Sequence, residues 1–83
     1  MSSVKRKRRT REKIVFEILR ECKEPALKTQ IMERINLSFA VLNKYLDFLK
    51  ERELIAKEEE RYKTTEKGQK FVKAFERLQN LLK

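Results

Sequence analysis

Ala40, Asn43 and Lys44 are residue types suited to reading the edges of base pairs. The first is small enough to let a backbone approach, the second is an amide that donates and accepts, and the third is a long cation. At 3.6 residues per turn they share one face of the first two turns of a helix opening at Ser38. An asparagine there can pair with adenine, and a lysine can reach guanine or a phosphate. Phe39, on the border of that face, either touches a thymine methyl or closes a core. Asp47 comes later on the same face and would meet phosphates unfavourably, so only the first two turns suit a groove. This chemistry is recognition without bond-making. The chain has no histidine, one cysteine and one glycine. It offers no nucleophile beside a base and no phosphate-binding glycine loop. Glu58-Glu59-Glu60 reads as exposed charge, not a catalytic dyad. No enzyme, metal, cofactor or small-molecule site is expected.

The remaining cations are placed to hold a polyanion. Lys5, Arg6, Lys7, Arg8 and Arg9 form one block whose members repel each other. Residues 1–9 are therefore expected to be a flexible basic arm that follows a phosphate backbone or enters a minor groove. A solubilising tail or a targeting signal is the alternative. Lys28 and Thr29 would sit at the N-terminus of a helix, where phosphates bind readily. Arg61 and Lys63, with Lys57, flank the acidic run. The formal charge is +9, with seven Lys/Arg and a single acid in residues 1–13 and seven against two in residues 61–83. Residues 14–50 are nearly balanced, at six against five. A basic head and tail around a near-neutral middle suit nucleic acid.

The elements that must position these groups follow from capping and apolar spacing. Thr10 caps a helix to about Cys22, with Ile14, Val15, Ile18, Leu19 and Cys22 on one face. Cys22 continues that stripe and reads as a buried thiol. Phe16 falls off it and needs a partner, either the last helix or a second subunit. Pro25 ends the helix, and the link that follows is expected to form a brief strand against a hairpin. A second helix spans about 28–35, Asn36 closes it in the left-handed conformation, Leu37 plugs the turn, and Ser38 caps the third helix and counts with Phe39, Ala40, Asn43 and Lys44 among the candidate DNA contacts. That helix, residues 38–52, places Phe39, Val41, Leu42, Tyr45, Leu46, Phe48 and Leu49 on its apolar half. Residues 54–57 and 61–64 form a hairpin with the glutamates at its tip. Thr65 caps a last helix in which Phe71, Phe75, Leu78 and Leu82 form a seam. The seam packs either on the first helix or on the same helix of a second copy, and pairing is the favoured expectation.

These expectations define a mainly α (α+β) winged helix-turn-helix with a three-helix core, a small β-hairpin wing and a C-terminal helix for dimerisation. Residues 10–64 make the domain and 65–83 the dimerisation helix. Eighty-three residues, 40% hydrophobic, suffice for one small core, and one Gly with one Pro argue against an all-β fold. No apolar run approaches the ~18 residues of a membrane span, and the N-terminus has no apolar signal-peptide segment. A single cysteine excludes a disulfide framework. A reducing, cytoplasmic location is expected.

The combination Leu27-Lys28 with Ile31-Met32, Asn36-Leu37-Ser38-Phe39, Leu42 with Tyr45-Leu46 and Leu49, and Tyr62 with Thr65-Glu66-Lys67-Gly68 resembles an archaeal winged-helix family. The resemblance covers about residues 10–82. It includes small basic chromatin-associated proteins of Sulfolobus that dimerise through a C-terminal antiparallel coiled coil, and regulators of archaeal viruses and plasmids. It implies a nucleoid-associated homodimer on double-stranded DNA, acting as a transcription regulator or an architectural protein. A protein-interaction or RNA-binding module on the same scaffold is the second reading. The chain departs from the pattern at Glu53, where the family often has Gly, at the acidic wing tip and in its short last helix.

Overall fold

The structure, a computed structural model, describes residues 9–83. Helix α1, Arg11–Glu21, starts where Thr10 Oγ1 accepts from the Lys13 amide at 3.1 Å. It buries Val15, Phe16, Ile18 and Leu19. Cys22, at its C-cap, is fully buried; burial first and the Glu21 carboxylate second push its thiol from 9.0 up to about 12, leaving almost no thiolate at neutral pH.

Strand β1, Ala26–Leu27, leads directly into α2, Lys28–Ile35, where the Gln30 side chain accepts from the Leu27 amide at 2.9 Å. Asn36 then turns the chain at φ 55°, as its tolerance of the left-handed region allows. Ser38 Oγ accepts from the Val41 amide at 3.2 Å and opens α3, Phe39–Glu51. The helix-turn-helix expected from residues 28–52 is thus present, each half bounded by its own local cap.

Strands β2, Ile55–Glu58, and β3, Arg61–Thr64, pair antiparallel, and β1 adds to the free side of β3 to give the order β1-β3-β2. The register sets Lys57 opposite Tyr62, Glu58 opposite Arg61 and Ala26 opposite Tyr62. The end of β3 is tied to α1: Thr64 is buried, its hydroxyl donates to Leu19 O at 2.6 Å, and its amide donates to Cys22 O at 2.8 Å. Both carbonyls belong to the last turn of α1, where helical partners run out. The strand begins one residue later than expected, because Glu53, at φ 62°, lets the Leu54 amide bond back to Leu49 O at 2.9 Å.

Helix α4, Glu66–Leu81, is capped by Thr65, whose hydroxyl accepts from the Gly68 amide at 3.1 Å. It lies on α1. The Phe16 ring, 1% exposed, stacks on Phe75 with centroids 4.6 Å apart, and Phe71 follows at 6.1 Å from Phe75. The partner of Phe16 is therefore the last helix of its own chain.

The apolar arc of α3 is narrower than its sequence suggests. Leu42, Leu46 and Leu49 are fully buried, Tyr45 and Phe48 are half-buried, and Phe39 and Val41 are exposed at 56% and 39%. Val41 shares the outer border of the arc with Phe48. Phe39, in the first turn, is uncovered.

Candidate nucleic-acid interface

Helix α3 presents Phe39, Ala40 and Lys44 at the surface, with Asn43 half-buried beside them. The first residue of α2 joins this group. Lys28 Nζ donates to Asn43 Oδ1 at 2.5 Å and lies 5.0 Å from the centre of the Phe39 ring. The same ammonium is 6.0 Å from the Tyr62 ring, and Lys57 Nζ approaches that ring at 5.7 Å. An ammonium over an aromatic face is attracted by the negative face of the ring, which fixes where the lysine stands. A cleft of about 230 Å³ between Leu27, Lys28, Thr29, Lys57, Glu60 and Tyr62 separates the start of α2 from the wing. Lys28, Lys44 and Lys57 take part in no ion pair among the described residues.

The structure therefore brings together Lys28, Thr29, Phe39, Ala40, Asn43 and Lys44. Arg61 and Lys63 do not join them. They alternate with the inward-facing Tyr62 and Thr64 along β3, so both point to the opposite face of the sheet. Lys57, directly across from Tyr62, shares that residue's face and is the wing cation beside the start of α2. All three glutamates of the tip are exposed, Glu59 holds φ 58°, and Glu60 lines the cleft.

Arg9 differs from the expected arm. Its guanidinium pairs with Glu17 at 2.7 Å and donates to Ile35 O at 2.8 Å and Asn36 O at 3.3 Å. A fixed fork of donors suits the unpaired carbonyls at a helix end, so Arg9 closes α2 and belongs to the fold. Lys5, Arg6, Lys7 and Arg8 lie outside the described residues.

A second basic and aromatic group is signalled only in part by the sequence pattern. Arg11 and Arg52 place their guanidinium carbons 5.0 and 4.7 Å from the Phe48 ring. Arg52 follows Phe48 by four residues and meets it at helical spacing, whereas Arg11 comes from the start of α1, a contact that no spacing within either helix signals. Along α4 the seam divides: Phe71 and Phe75 are half-buried on their own chain, while Leu78 and Leu82 are exposed at 53% and 80%, as is Leu81 at 76%. A groove of about 420 Å³ runs between Thr10, Glu12, Phe71, Ala74, Phe75 and Leu78. No described helix is long and apolar enough to cross a membrane.

The helix-turn-helix, the flanking hairpin and the added first strand place the molecule among winged helices. The chain belongs to a winged helix-turn-helix family, whose model matches residues 8–83. It is 39% identical over 67 residues to an uncharacterized protein of the archaeon Methanocaldococcus jannaschii, covering 80% of this chain and 69% of that one. Among solved structures it is similar to Sso10a-2, a DNA-binding protein from Sulfolobus solfataricus, with a TM-score of 0.76 and 30% identity over 88% of this chain and 81% of the other.

Proposed function

We propose that this chain is a non-enzymatic, double-stranded DNA-binding protein acting as a homodimer, either a transcription regulator or an architectural protein. The observation that carries the reading is the exposed start of α3: a small residue, an amide and the ammonium of Lys28 meet there beside Lys44, and neither lysine is in an ion pair among the described residues. In this reading the first two turns of α3 enter the major groove, Ala40 allowing close approach and Phe39 meeting apolar base edges. Thr29 and the first amides of α2 hold one phosphate, Lys44 and Lys57 hold others, and Lys5, Arg6, Lys7 and Arg8 follow the backbone beyond. The similarity to a protein described as DNA-binding supports the same partner.

The dimer is proposed to form through the far half of α4. Leu78, Leu81 and Leu82, at the end of α4 and its C-cap, leave an apolar surface uncovered within the protomer. A second α4 bringing the same leucines would cover it and fix the spacing between two recognition helices.

Selection from a pool of random duplex DNA at fixed salt tests the reading. Enrichment of a motif with two-fold symmetry is the outcome expected of a dimeric regulator. Tight binding without enrichment identifies an architectural coat. Failure to retain duplex at low salt would overturn DNA binding and leave the wing tip as a protein-docking surface.

A further inference from the structure

The contact between Lys28 and Asn43 changes what the recognition helix is able to read. A free asparagine pairs with adenine by accepting from the N6 amino group through Oδ1 and donating to N7 through Nδ2. In this structure Oδ1 is already an acceptor, for Lys28 Nζ at 2.5 Å. The assignment does not depend on which way the amide is drawn, because an ammonium only donates, so the atom facing it is the oxygen. The ammonium also lies over two aromatic rings, 5.0 Å from the centre of Phe39 and 6.0 Å from that of Tyr62, and Lys28 opens α2 directly after a strand residue paired in the sheet.

We infer that Lys28 and Asn43 act as one donor-only unit whose complement is guanine and not adenine. The inference rests on the proposal that α3 enters the major groove. After their mutual bond the pair retains two ammonium hydrogens and the two hydrogens of the amide NH2, and its remaining oxygen lone pair lies beside a positive charge. Guanine offers two adjacent acceptors, N7 and O6, so Nδ2 and Nζ satisfy both at once. Adenine offers one acceptor and one donor, and its amino hydrogens would point at an ammonium. Thymine offers O4 and a methyl, which gives a single hydrogen bond. The pair is thus a specificity-determining element split across two helices: α3 supplies the amide and α2 dictates its polarity. A discrimination of tenfold or more between guanine and adenine is the order expected of a bidentate contact.

Selection on random duplexes with the wild-type chain, Lys28→Met and Asn43→Ala tests this, after thermal melts confirm that both variants fold. Methionine keeps an unbranched side chain of similar length and removes the charge. The wild type is expected to enrich guanine at one position of each half-site. Lys28→Met should move that position towards adenine, because Asn43 regains a free acceptor, and Asn43→Ala should lose the preference. Adenine enriched by the wild type, guanine undiminished in Lys28→Met, or wild-type binding with no preferred base would each overturn the inference while leaving DNA binding intact. A wild-type chain that retains no duplex would overturn DNA binding itself, and the guanine preference with it.

Discussion

At Gly68 a missing side chain sets how closely two elements meet. A Cβ there would overlap the Leu54 carbonyl oxygen and come within 2.5 Å of Thr64 Cγ2. One obstacle is backbone, so the start of α4 would have to move as a unit. Gly68→Ala removes a poor helix former, a gain of about 1 kcal/mol in an open helix, but overpacking of this kind costs about 1–3 kcal/mol. The expected net result is a less stable protein with a lower Tm by calorimetry; a raised Tm would show that α4 is free to shift. Arg9 and Asn36 act on one turn from opposite sides. Asn36 supplies the left-handed backbone, and Arg9 occupies the carbonyls that the turn leaves without helical partners. The angle between α2 and α3, and with it the meeting of Lys28 and Asn43, depends on both.

Among the elements, α4 has two functions along its length. Its first half completes the core through Phe71 and the Phe75–Phe16 stack, and its second half projects leucines into solvent. A charge at Phe75 would therefore disturb the protomer as well as any dimer, whereas Leu78→Asp acts on the exposed half alone. Sedimentation of Leu78→Asp is expected to give a folded monomer where the wild type gives a dimer; a variant that stays dimeric would move the interface off α4. Helix limits were legible in the sequence because Thr10, Ser38 and Thr65 each act on an amide three residues away, and Asn36 acts on its own backbone. The face of Ala40, Asn43 and Lys44 was legible for the same local reason, namely period alone. The grip of Lys28 on Asn43 was not, since it spans two helices whose crossing the turn decides. Nor was the choice of Lys57 over Arg61 and Lys63, because a shift of one residue in the hairpin register exchanges the faces. The exposure of Val41 shows the limit of periodicity. The period gives a residue's direction, but not whether anything lies there to cover it.

Over the whole molecule, few cations are neutralised internally: Arg9, Arg34 and Lys50 pair with Glu17, Glu21 and Asp47, while Lys28, Lys44 and Lys57, like most cations among the described residues, are in no ion pair. If residues 5–8 hold phosphates, deleting residues 1–8 should flatten the dependence of log K on log salt by about 0.9 for each phosphate no longer neutralised. It should leave the Tm near that of the full chain, since Arg9 remains in place. An unchanged slope would remove the arm from the interface; a collapsed Tm would make it part of the fold.

The sheet order β1-β3-β2 leaves the far side of β2 without a paired strand among the described residues. An open edge invites the same strand of another molecule, and crowding along a polyanion would multiply such encounters. Here the edge is four residues long and runs from Ile55 through Lys57 into Glu58, with Glu59 and Glu60 just beyond. Two such edges approaching one another would bring glutamates together before many ladder bonds could form. The acidic wing tip thereby guards the open edge against pairing with another sheet, and the self-association proposed for α4 runs through a different surface.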